Sequence, residues 1–222
     1  MQELENACKS NELSKMKGFS VKSQELVLNS IEHKKAGRGR FNQEHSVQDC
    51  MAIVKTLKNQ AFIEQAEITG EYRRFTETIK DFYILAATSN FMEAEKFALN
   101  ELNLTLNQGL FIGKTNFGVD LALEFCTAED FFWRLNRSTG SAEFLNKLDF
   151  LFKEKNYITS EQSCHFNDEK IIFKSEEDIY SELGLQNIPP ELRENPNVID
   201  KAVKAELKPL IEQSDLKGML HV

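Results

Sequence analysis

The sequence is short of several things, and each shortage excludes a class. It has only 4 cysteines in 222 residues (Cys8, Cys50, Cys126 and Cys164), widely separated, with no CxxC pair and no histidine at zinc-finger spacing. A disulfide scaffold and a zinc finger are therefore excluded, and reduced, buried thiols are expected. With 4 prolines and 10 glycines there is little room for flexible linkers. No apolar run approaches the ~20 residues of a membrane-spanning helix. The first residues, MQELENACKS, carry no signal-peptide core, so a cytoplasmic location without membrane contact is expected. No internal repeat or low-complexity tract is present.

Positive charge is also scarce. The chain holds 27 Lys/Arg against 35 Asp/Glu, a net charge of -8, which argues against a protein coated in nucleic acid. The scarcity is uneven: residues 1–40 carry 8 basic and 5 acidic groups, leaving 19 against 30 for the remainder. A basic segment on an acidic body suits one local phosphate-binding face; a solvated helix end around HKKAGRGR explains it equally well.

What is plentiful is core material: 41% hydrophobic residues, among them 17 Phe. Periodicity predicts polar helices over 2–15 and a helix after Ser20 with Val21, Leu26, Val27 and Ile31 on its apolar side. Between them Lys17-Gly18-Phe19-Ser20 reads as a corner, with Gly18 supplying the backbone angle. A helix is expected over about 43–59. Strand-like runs follow at 62–69 and 82–88, then a helix 91–102 capped by Ser89. Further strands are expected at 104–106, 110–113 and 117–125, and helices from Thr127 through Leu135 and from Ser141 through Lys155. Residues 156–172 look polar and irregular. A helix opens at Ser175, Ile188–Arg193 reads as rigid and extended, and a charged helix lies near 198–207. This is an α+β chain: a sheet with helices packed on it, flanked by helices.

Taken in order, several stretches resemble bacterial family X DNA polymerases fused to a C-terminal PHP phosphoesterase domain. KGFSVKS (17–23) is similar to the second helix–hairpin–helix of that family, usually GxGxK[ST]. GEYRRFTETIKDFYIL (70–85) resembles the palm stretch GSxRRxxExxxDxDhL, and FGVDLALEF (117–125) the strand bearing the third catalytic aspartate. STGSAEFLNKL (138–148) resembles the junction of palm and thumb, and SEEDIYSELGLQNIPPELREN (175–195) the end of the thumb. SDLKGMLHV (214–222) is similar to the opening of a PHP domain, with His221 at its first metal-binding histidine. Later ligands would lie beyond Val222, and no metal is assigned to this stretch.

The resemblance implies a helix–hairpin–helix unit at 1–40, a palm at 41–136, a thumb at 137–195, and a linker entering the PHP domain at 196–222. It implies DNA as partner, bound through its backbone without sequence specificity, and a PHP domain in cis within a longer protein. The DNA-binding positions would be Lys17, Gly18, Ser20, Lys22 and Ser23; an ordinary Gly-capped helical corner remains the other reading of them. The phosphate-binding positions would be Gly70, Arg73, Arg74, Gly140 and Ser141.

Family X catalysis needs two divalent cations held by three carboxylates, two of them at i and i+2 on one strand. The matching positions are Asp81, Tyr83 and Asp120, so one carboxylate is missing. A phenol with a pKa near 10 is neutral at pH 7 and a poor Mg²⁺ ligand. Asp81 and Asp120 are then either weak Mg²⁺ ligands or relics satisfied by hydrogen bonds or lysines. Other departures are Glu71 for the serine after Gly70, Arg137-Ser138 for the aromatic pair, and Leu145 and Asp149 for an Asn and an Arg. The expectation is a DNA-binding polymerase-like module with a degenerate nucleotidyltransferase site. Two alternatives stand beside it: an active polymerase using the remaining Asp pair, with Mg²⁺ as cofactor, and a scaffold that supports a PHP domain without binding DNA.

Overall fold

A computed structural model describes residues 2–218 other than 17, 37, 38, 46, 212 and 216. The chain packs as two compact units, residues 1–41 and 42–222. In the first, α1 (Gln2–Lys9) and α2 (Val21–Ala36) are joined by a short 3-10 turn at Leu13–Lys15. Gly18 takes φ +97, a left-handed angle that favours glycine. Ser20 caps α2, its Oγ accepting the Ser23 N–H at 3.1 Å. The expected apolar side of α2 is corrected: Val21 and Leu26 are exposed, whereas Gln24 and Ile31 are buried. Gln24 turns inward because its amide is satisfied there. Oε1 accepts from the Ser14 N–H at 3.0 Å and Nε2 donates to Asn11 Oδ1 at 2.7 Å.

Strand β1 (Phe41–Asn42) falls at the boundary, and the second unit continues with α3 (Val47–Lys58), β2 (Ile63–Ile68), the single turn α4 (Gly70–Arg73) and β3 (Thr78–Ile79). Strand β4 (Asp81–Thr88), helix α5 (Phe91–Asn100) and strands β5 (Thr105–Asn107), β6 (Leu110–Lys114) and β7 (Asp120–Cys126) complete a five-stranded sheet of order β2-β4-β7-β6-β5. Strands β4 and β7 are parallel, and the other neighbours antiparallel. Alternation puts Phe82, Ile84, Leu121 and Leu123 on a buried face. Asp81, Tyr83, Leu85 and Ala87 point the other way. The far end of that second face is closed by α6 (Phe131–Thr139), whose Phe131 and Leu135 pack on Leu85, Ala87 and Cys126. The near end, at Asp81 and Asp120, stays open.

Beyond α6 come α7 (Ala142–Glu154), the antiparallel strands β8 (Tyr157–Thr159), β9 (Cys164–Phe166) and β10 (Glu169–Ile171), then α8 (Glu176–Glu182) and α9 (Asn197–Val203). Phe144, Leu148 and Phe152 recur every four residues on α7 and meet Trp133, Ile179 and Tyr180 in one core. The mixed helix-and-sheet class therefore stands, and all four cysteines are free and buried.

Several local expectations are corrected. The cap of α5 is Asn90, whose side chain accepts from the Glu93 N–H, rather than Ser89. Helix α6 starts at Phe131, because Thr127 spends its hydroxyl on Asp130 Oδ2 at 2.7 Å and holds residues 127–130 in a turn. Residues 157–171 form a small sheet whose three-residue strands are too short to show periodicity. Pro190–Leu192 is a turn of 3-10 helix, and α9 stops at Val203. Among the described residues no helix is long and apolar enough to cross a membrane.

Phe152 is fully buried, with Trp133 and Tyr157 each 5.4 Å away between ring centroids. Urea denaturation of Phe152→Ala should show a loss of about 3–5 kcal/mol. Phe150→Ala, on the same helix but 60% exposed, should lose less than about 0.5 kcal/mol.

Candidate functional site

Parallel pairing of β4 with β7 sets Asp81 directly opposite Asp120, Tyr83 opposite Ala122 and Leu85 opposite Glu124. With a side-chain period of two, Asp81, Tyr83, Asp120, Ala122 and Glu124 share the open face. The two aspartates are thus brought together. Asp120 Oδ1 accepts from Lys114 Nζ at 2.5 Å; both groups are well exposed, so the pair contributes at most about 1 kcal/mol.

Between them and the closed end lies a connected trio. The Tyr83 hydroxyl donates to Glu124 Oε2, and the Arg134 guanidinium donates to Glu124 Oε1 and, at 3.4 Å, to the Phe125 carbonyl. Arg134 lies one turn after Phe131 on α6, so packing of that helix aims it over the sheet. Burial pushes the Tyr83 phenol up to about 12, with the Arg134 charge opposing. Burial also lowers the Arg134 guanidinium, and Tyr83 opposes that shift.

These residues do not fit a pair of divalent cations. Two carboxylates stand where three are needed, the phenol between them is neutral, and Glu124 is taken by two donors. The nearby carboxylate of Glu71 has Oε2 occupied by the Lys80 N–H at 2.8 Å. Among the described residues no group of three or more His, Cys, Asp or Glu could hold a metal ion.

A cleft of ≈ 420 Å³ opens beside this face, bordered by Gly70, Glu71, Asp81, Tyr83 and Glu161, and by three arginines. Each arginine already has a carboxylate. Arg134 holds Glu124. Arg74 donates to Glu194 Oε2 at 2.5 Å and to the Thr139 carbonyl at 2.7 Å. Arg137, nearly buried, donates to Asp149 at 2.7 Å and Glu161 at 2.9 Å and lies over the Trp133 ring at 5.8 Å. Arg73 lies outside the cleft lining, bonded to Thr139 Oγ1 at 3.1 Å and to Glu176 Oε2 at 2.5 Å. Glu176 is also held by Arg193, itself fully buried and donating to the Ile188 carbonyl at 2.9 Å.

The remaining positions singled out from the sequence have structural work. Gly140 has no room for a side chain: a Cβ would come within 2.9 Å of Phe144 and Leu145. Ser141 caps α7, accepting from the Phe144 N–H at 3.2 Å while donating to the Glu194 carbonyl at 2.9 Å. In the other unit Gly18, Lys22 and Ser23 border the corner, with Lys22 exposed and the Ser23 hydroxyl 3.0 Å from that of Ser20. Lys17 and His221 lie outside the described residues.

Residues 134–194 match the family described as DNA polymerase beta thumb. The whole chain is similar to the DNA polymerase/3'-5' exonuclease PolX of Bacillus subtilis (strain 168), 28% identical over 229 residues. That alignment covers 99% of this chain and spans 40% of the relative's length. The match to the thumb family covers residues 134–194, and the mixed helix-and-sheet fold is consistent with a polymerase beta-like palm and thumb.

Sequence reasoning missed Arg134, Arg193 and Glu176. Arg193 and Glu176 sit inside the thumb-end stretch, but the bond from Arg73 to Glu176 spans 103 residues of chain and left no local signal. Glu176 gives a pH test. Burial alone would raise its carboxyl, but the bonds from Arg73 and the charge of Arg193 outweigh it and hold it below the ordinary 4.5. A depressed folded value means the stabilisation is complete above pH 4.5 and disappears as pH falls through the folded value. Acid denaturation of Glu176→Gln should lack that component, and at pH 7 the variant should be less stable by about 3 kcal/mol. An unchanged acid limb would show the pair to be unimportant.

Proposed function

We propose that this chain is the DNA-engaging, polymerase-like part of a family X polymerase–PHP type protein, and that its nucleotidyltransferase site no longer works. In this reading residues 1–40 are the helix–hairpin–helix unit, 41–136 the palm, 137–195 the thumb, and 196–222 the linker into a PHP domain. The module presents gapped or nicked DNA ends to that phosphoesterase. The observation that carries the reading is Tyr83: a neutral, hydrogen-bonded phenol stands at the strand position where the chemistry needs an anionic ligand.

Phosphoryl transfer is positioning plus charge stabilisation, and both parts are weakened here. Asp81 and Asp120 keep the register of a metal-binding pair, but Asp120 is answered by Lys114. The arginines beside the cleft are neutralised by Glu124, Glu194, Asp149 and Glu161, so a triphosphate would have to break charge-assisted bonds before gaining any. The aromatic-to-arginine and arginine-to-aspartate departures at 137 and 149 answer each other directly, which is the pattern of a pocket rewired for internal pairing. DNA contact would fall to the hairpin, where exposed backbone N–H groups and Lys22 can meet a phosphate.

The test is a pair of assays on the purified chain. Binding to a gapped duplex should be measurable at low salt and should weaken steeply as salt rises. Primer extension with Mg²⁺ or Mn²⁺ should be absent, and Asp81→Ala should change nothing. Incorporation that Asp81→Ala abolishes would overturn the inactive reading; a flat DNA titration would overturn the DNA-engaging one.

A further inference from the structure

The open face of the sheet carries a phenol at position 83, and it also carries a charge that a metal site would not want. Arg134 comes down from α6 onto the same face, bonded to Glu124 and to the Phe125 carbonyl, and it borders the same cleft as Asp81 and Tyr83. Its side chain is only 16% exposed and that of Glu124 21%, so the charge is screened little by solvent. Tyr83 completes the arrangement by donating to the other oxygen of Glu124. One fixed cation, one fixed anion and one neutral donor therefore join β4, β7 and α6 in the cleft.

We infer that Arg134 is the built-in cation of this cleft, holding the electrostatic place of a divalent ion, so that restoring a carboxylate at position 83 is not enough to restore a metal site. The inference rests on the reading above, that the site no longer binds its metals. A carboxylate introduced at 83 would have the Arg134 guanidinium as its near partner. A guanidinium-paired carboxylate keeps its lone pairs in charge-assisted bonds rather than offering them to a hydrated divalent cation. Two substitutions, not one, separate this site from a metal-competent one.

The probe is Mn²⁺, followed by loss of the free-ion electron paramagnetic resonance signal on titration into the full chain. Wild type and Tyr83→Asp should both bind weakly. Tyr83→Asp combined with Arg134→Met should bind at least about tenfold more tightly than Tyr83→Asp alone. Tyr83→Asp combined with Arg134→Lys, which keeps the charge, should return to the single-variant level. If the methionine variant fails to fold, Arg134→Gln removes the charge while keeping a donor for Glu124, with the same expected gain. Equal affinity of Tyr83→Asp and the double variants would overturn the inference alone, as would tight binding by the lysine combination. Tight binding by the wild-type protein would instead overturn the reading of the site on which the inference stands.

Discussion

A carboxylate placed between two donors from different elements organises the open face of this molecule. Glu124 lies on β7, receives the Tyr83 hydroxyl from β4 and the Arg134 guanidinium from α6, and so ties the sheet to that helix. All three groups sit at the partly buried end of the face, where hydrogen bonds to charged groups are stronger than in water and unpaired ones are costly. On the proposed reading, the position that would collect cations is closed from within. A neutral phenol replaces an anion, and a guanidinium supplies the positive charge.

The same pattern continues toward the thumb. Glu176 is shared by Arg73 from α4 and by Arg193, while Glu194 takes Arg74 and lends its carbonyl to Ser141. These contacts give α4, the 140–141 turn and the thumb's last segment a common set of partners. Breaking one leaves a buried charge unpaired, which is why such pairs are costly to lose even where their net contribution is small. Arginines that attract phosphate in an open site here serve as internal braces.

Much of this was legible in the sequence. The strand runs of β4 and β7 and the helix starts at Ser141 and Ser175 follow from local pattern, and the resemblance sets Tyr83 at a carboxylate position without coordinates. What could not be read is what each charge meets. Arg73 and Arg74 look like phosphate ligands until Glu176 and Glu194, more than 100 residues away, are placed beside them. Gln24 displaced Leu26 from the inward face of α2 because two hydrogen bonds wait for its amide, and hydropathy carries no trace of such partners. Strands β8–β10 were missed for a different reason, since three residues do not make a period.

The central claim is that this face cannot assemble paired divalent ions beside a nucleoside triphosphate. The most direct measurement is a crystal soaked with Mn²⁺ and a non-hydrolysable deoxynucleoside triphosphate, read by anomalous scattering. The account predicts no pair of manganese peaks at Asp81 and Asp120, with Tyr83 still bonded to Glu124. Two peaks about 3.5–4 Å apart, bridged by those aspartates and the triphosphate, would contradict it.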